Sequence, residues 1–406
     1  MTRTVHHRLL WGAVATVAAV ALAGCSSATP ASTDTTADET AQAEPAGGPR
    51  IALTYEGGLL VVDGDTLETI ADIPVDEYVR INTAGDTNGH VFVTTAAGFQ
   101  VLDTGLVSGT AELTDVVFPA QSGSHAVAHD GRTALFADGT GDVTLFDTNA
   151  VTDDALPPVE TVASEHAHHG VAVPLSDGSL VTTLGTAEDG AWGVHVLDAA
   201  GEEITRFEDC PGLHGEGTVT GETVVIGCHT GPFIYHDGEF VKLTSPDEFG
   251  RVGNMYTDAT SEIAVGDYKN DPDQEGYLLT AITLIDTADE TLKVVDLPDG
   301  ASYTWRGVGR DADSNAVVLS SDGKLYVIDE VTGDVLDSWD VIAPWEGPEE
   351  WQLPHPALAT ADGTAYVTEP ATQSIHKVDV STGQIETTGA LPHAPAEIVI
   401  VDGHGH

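Results

Sequence analysis

Ser124-His125-Ala126-Val127-Ala128-His129-Asp130-Gly131-Arg132-Thr133-Ala134-Leu135-Phe136-Ala137 reads as a strand, a tight turn and a second strand. Asp-Gly favours the two left-handed conformations that a two-residue hairpin needs. The segment continues through an apolar run at 143–146, then Asp147 and a last β-rich run at 159–163. Residues 124–129, 133–137, 143–146 and 159–163 are therefore expected to form four consecutive antiparallel strands, A to D. The unit recurs, and its clearest landmark is an Asp closing the third strand. These are Asp63, Asp103, Asp147, Asp198, Asp237, Asp286, Asp329 and Asp379, spaced by 40, 44, 51, 39, 49, 43 and 50 residues. Short strands and Asp/Gly turns at this period are the signature of a β-propeller. Eight landmarks give an all-β fold of eight four-stranded blades, or seven if one unit is irregular. The apolar run from Ile51 looks like strand B of the first blade, and Glu397-Ile398-Val399-Ile400-Val401 like a final strand A. Pairing the two would close the ring and remove the open sheet edges. The chain is expected to act as a monomer.

Ahead of the propeller lies a processing signal. Arg3 and Arg8 precede a short apolar run, and Leu22-Ala23-Gly24-Cys25 resembles the lipobox of bacterial lipoproteins. The resemblance implies removal of residues 1–24 and lipidation of Cys25, which would anchor the chain outside the cytoplasm. Residues 25–49 hold little to bury and read as a tether. The propeller is assigned to 50–402, and 403–406 is a histidine-containing tail.

The formal net charge is −51, from 65 acidic and 14 basic residues. No basic face can form, so nucleic acid is excluded as a partner, and the membrane is reached through the lipid alone. Besides Cys25 the chain has only Cys210 and Cys228. In an oxidising compartment these most simply pair; a cysteine-based zinc site is the alternative.

Histidines gather where the D strand of one blade leads into strand A of the next. Five such places hold His125, the His166-Ala167-His168-His169 cluster, His214, His355 and His393, and His229 follows a B strand on the same face. In a propeller these connections rim one end of the central channel. Converging imidazoles point to a transition metal, zinc above all. Glu165, Glu216, Asp267 and Glu369 are candidate oxygen ligands. His90 and His129 belong to the opposite face, and His195, His236 and His376 to C strands. No catalytic residue stands out. A metal-dependent hydrolase such as a lactonase would use the same channel mouth, and a protein-interaction propeller would use Trp305, Trp345 and Trp351 at the rim.

His166-Ala167-His168-His169-Gly170 and Cys210-Pro211-Gly212-Leu213-His214-Gly215-Glu216 with Cys228-His229 carry a further resemblance. Residues 50–402 resemble the AztD family of zinc chaperones, which accompany Azt-type ABC zinc importers. The resemblance implies a non-enzymatic protein that binds zinc outside the cytoplasm and passes it to the importer's solute-binding protein. A lipid anchor and a histidine-free tether depart from that pattern.

Overall fold

The structure, a computed structural model, describes residues 48–76 and 78–404. The signal sequence, Cys25, most of the tether and His406 lie outside the described residues. Among the described residues the strands form eight four-stranded antiparallel sheets, so each Asp landmark marks one blade. In the third blade the strands are Gly123–His129, Arg132–Ala137, Asp142–Asp147 and Glu160–Val162, close to the expected limits. Closure is also as expected. Pro395–Val401 pairs with Arg50–Tyr55, with Ile51 opposite Ile400 and Leu53 opposite Ile398.

The landmarks have a physical basis. Seven of the eight aspartates accept hydrogen bonds from backbone amides two to four residues ahead, capping the C-to-D turn. A short carboxylate that folds back on its own chain is what makes Asp a turn former. Asp237 is the exception and takes a positive φ of 50° itself. At the A-to-B turns, Asp130 and Gly131 have φ of 45° and 75°, and Asp362 and Gly363 46° and 76°, the paired left-handed geometry of the expected hairpin.

Blades pack face to face, so the middle strands are covered on both sides. Ala316–Leu319 is buried throughout, whereas the outer strand Val335–Asp340 is almost wholly exposed. The core therefore lies between blades. Val171, Val181 and Val194 of the fourth blade pack with Val224, Ile226 and Phe233 of the fifth. Ile51 and Leu60 of the first pack with Tyr366 and Ile375 of the eighth. The innermost strands line the channel, and the D-to-A and B-to-C connections share one rim.

Candidate metal centre

Three rim histidines meet. His125 lies near the start of the first strand of blade three, His169 lies in the connection into blade four, and His214 opens the first strand of blade five. One ring nitrogen from each lies within 4.8 Å of the other two. The ring centroids are 5.2 Å apart for His125 and His169, 5.5 Å for His125 and His214, and 5.2 Å for His169 and His214.

The second nitrogen of each ring is already committed. Nδ1 of His125 donates to Glu216 Oε1 at 3.1 Å, and Nδ1 of His169 donates to Asp138 Oδ2 at 2.7 Å. Nδ1 of His214 donates to the carbonyl of Gly253. An acceptor at Nδ1 fixes the proton there, so the lone pair of each neutral ring resides on Nε2. The three Nε2 atoms are thus the nitrogens free to take a metal.

Those acceptors are themselves held. Ser124 Oγ donates to the other oxygen of Asp138 at 2.5 Å. Asp267, fully buried, accepts from the backbone amides of Gly253 and Asn254 and from the Asn254 side chain. It thereby fixes the loop whose carbonyl orients His214. Gly215 has φ of 73°, and a Cβ there would come 2.7 Å from the Gly253 carbonyl oxygen. Glycine between His214 and Glu216 is what permits this close approach.

Electrostatics favour the neutral imidazole at His214 and the protonated one at His125. Burial and the neighbouring charge of His125 pull His214 down to about 4. Burial also opposes protonation of His125, but Glu216 outweighs it and leaves that ring above its ordinary value. Glu216 is held below the ordinary carboxylate range by His125 despite its burial. A dication at the three Nε2 atoms would replace the proton on His125 and keep the Glu216 partnership.

This geometry can be set beside known proteins. The zinc chaperone AztD of Citrobacter koseri is 28% identical over 297 residues, which is 69% of this chain. The chain spans 66% of that relative's length, just under two thirds. Solved structures of C. koseri AztD, one of them apo, share the fold with TM-scores of 0.74 and 0.73 at 22% identity. They cover 88% of this chain and 99% of theirs. This chain is similar in sequence and in fold to AztD. No family model matches it. A dihydro-haem d1 dehydrogenase, NirN, shares the fold more distantly, with a TM-score of 0.60 at 14% identity over 89% of this chain and 77% of its own.

The remaining expected ligands lie apart from the cluster. His168 points inward, its Nδ1 donating to the His166 carbonyl at 2.8 Å and its Nε2 3.0 Å from Thr183 Oγ1, so both nitrogens are used. His166 is exposed beside Glu165. His229 packs on Phe249, and Gly212 sits so close above its ring that a Cβ would fall 2.0 Å from Nε2. It supports the loop leading to His214. His355 is buried against Trp345, with Nδ1 donating to the Leu353 carbonyl. His393 stacks on Tyr55 and contacts Asp72. Glu369 accepts from Thr372 and the Ala343 amide and lies near His376.

Cys210 and Cys228 form a disulfide, with Cα atoms 5.1 Å apart. It ties the connection carrying His214 to the strand that ends beside His229, and the His229 amide donates to the Pro211 carbonyl at 2.8 Å. Asp138 was not singled out from sequence. It directly follows the B strand of blade three, close to the place that Asp267 and Glu369 take at the ends of theirs, and the same positional rule applied to blade three finds it.

Proposed function

We propose that this protein is a zinc-binding metallochaperone that holds one Zn²⁺ at His125, His169 and His214. The observation that carries the reading is the convergence of three imidazoles whose Nδ1 atoms are each bound to an oxygen acceptor. Three neutral nitrogens and an open fourth position suit zinc, with a site that an incoming ligand can enter. Exchange through that position is how a carrier releases its cargo stepwise to a partner. The resemblance to the zinc chaperone AztD supports a carrier rather than a hydrolase. So does the chemistry of the carboxylates: Glu216 and Asp138, the groups a hydrolase would aim at water, are engaged on Nδ1 atoms. His169 is the most exposed of the three ligands, and its loop is the natural point of hand-over. The recipient is read as the solute-binding protein of an ABC zinc importer. The lipobox-like sequence supports a location outside the cytoplasm on a lipid anchor, and the disulfide suits that compartment.

The test is zinc titration of residues 26–406 against a competing chelator, with His169→Ala and His214→Ala in parallel. One tight site weakened in both variants, followed by zinc movement to the solute-binding protein faster than through free solution, supports the reading. Binding indifferent to both substitutions contradicts it.

A further inference from the structure

The channel wall opposite the histidines is cationic, in a chain whose acidic residues far outnumber its basic ones. A cavity of 310 Å³ inside the rim is lined by His125 and Glu216 on one side and by Arg80, Arg306, Trp305 and Glu397 on the other. Arg80 Nε donates to Glu397 Oε1 at 2.8 Å, and Arg306 Nη2 donates to the same oxygen at 3.2 Å. Two guanidinium groups therefore face one carboxylate, and the wall keeps a net positive charge.

Arg306 is spent on structure. It is buried and its Nη1 donates to the Ala396 carbonyl. Arg80 is not. Its side chain is 44% exposed, and its Nη groups have no acceptor among the described residues. The indole rings of Trp305 and Trp351 lie 5.4 and 5.2 Å from its guanidinium carbon. The two rings and the Glu397 bond at Nε restrain a guanidinium that lines the cavity. A fixed, planar pair of N–H donors suits a carboxylate bound through both oxygens. Trp305 and Trp351, two of the rim tryptophans noted in the sequence, thus serve to hold an arginine.

The metal adds to this charge. Zn²⁺ on three neutral imidazoles keeps its full double charge, and one of its ligands, His125, lines the same cavity as Arg80. A cavity near the small end of ligand pockets with positive charge at both ends calls for a short dianion. We propose that the channel takes a small dicarboxylate, one carboxylate on Arg80 and the other at the open position of the three-histidine metal. The inference rests on the zinc reading above and adds the class of its exchangeable fourth ligand.

Succinate, a weak zinc ligand by itself, is the probe. It is titrated calorimetrically into zinc-loaded and metal-free protein, for wild type, Arg80→Met and Arg80→Lys. Binding is expected to zinc-loaded wild type and to be roughly 10–100-fold weaker in Arg80→Met, the loss of one charged hydrogen-bond pair. Zinc binding measured without succinate is retained in Arg80→Met, at the wild-type affinity or tighter because a cation has been removed, which also reports an intact fold. Arg80→Lys keeps the charge and loses the fork, so its succinate affinity falls as well, and it decides the matter if the methionine variant misfolds. A wild type that takes up zinc but shows no Arg80-dependent succinate binding overturns this inference and leaves the zinc reading standing. A wild type that takes up no zinc overturns both.

Discussion

Replacing Glu216 by Gln should weaken zinc binding more than replacing Asp138 by Asn, and the structure sets the ratio. Both carboxylates accept the Nδ1 proton of a metal-binding imidazole, at 3.1 and 2.7 Å. The amide oxygen of Gln or Asn can still accept that proton, so the rings stay oriented and the lost quantity is the negative charge. Loss of such a supporting partner costs on the order of 10–100-fold in metal affinity. Exposure then divides the range. The Glu216 side chain is 12% exposed and its His125 partner 22%, whereas Asp138 and His169 are 26% and 45% exposed. Water screens the second pair more strongly. The expectation is about 100-fold, or about 2.7 kcal/mol, for Glu216→Gln and about tenfold, or about 1.4 kcal/mol, for Asp138→Asn. Chelator competition at pH 7.5 measures both, and Asp138→Ala, which also frees the ring, should fall below Asp138→Asn. Equal affinities in wild type and both carboxamide variants would refute the account of Nδ1 support. A loss in Glu216→Gln as large as in His125→Ala would show that Glu216 is itself a ligand.

Other expectations follow from the same contacts. Serine at both Cys210 and Cys228 removes a cross-link between residues 18 apart and should lower stability by about 3 kcal/mol, read from the denaturant midpoint. Gly215→Ala puts a Cβ at φ 73° against the Gly253 carbonyl; a loss of about 1–3 kcal/mol in stability together with weaker zinc binding is expected, from the same two assays. His355 is 3% exposed, and burial with the charge of Arg306 pulls it down to about 4 from 6.5. The unfolded chain therefore binds this proton first, so the stability is fully present above pH 6.5 and lost as pH falls toward 4. At 1.36 kcal/mol per pH unit the loss is about 3 kcal/mol. His355→Leu should flatten the stability–pH curve of metal-free protein in that window, and an unchanged slope would contradict the burial argument.

The fold was legible because its determinants are local. An Asp that caps its own turn, an Asp-Gly hairpin and an apolar B or C strand each announce themselves within a few residues, and their recurrence counts the blades. The rim was legible for the same reason, since topology alone puts D-to-A connections at one end of the channel. Which histidines meet is a different question. His168 and His169 are neighbours, yet one turns to Thr183 in the core and the other to Asp138 at the rim. Nothing within the tetrapeptide settles which does so, because the partners come from other strands. His355 and His393 rim the channel from blades eight and one, across the ring from blades three to five, and cannot join His125, His169 and His214. Asp267 was singled out for its carboxylate, but its role runs through two backbone amides to the carbonyl that orients His214, a relay visible only in three dimensions.

X-ray absorption at the zinc edge, on residues 26–406 loaded with one equivalent of zinc, tests the central claim most directly. The account predicts three imidazole nitrogens at about 2.0–2.1 Å with one oxygen as fourth scatterer and no sulfur, and loss of that spectrum in the combined His125→Ala, His169→Ala and His214→Ala variant. A spectrum with fewer imidazoles, or one that survives the triple substitution, would contradict it.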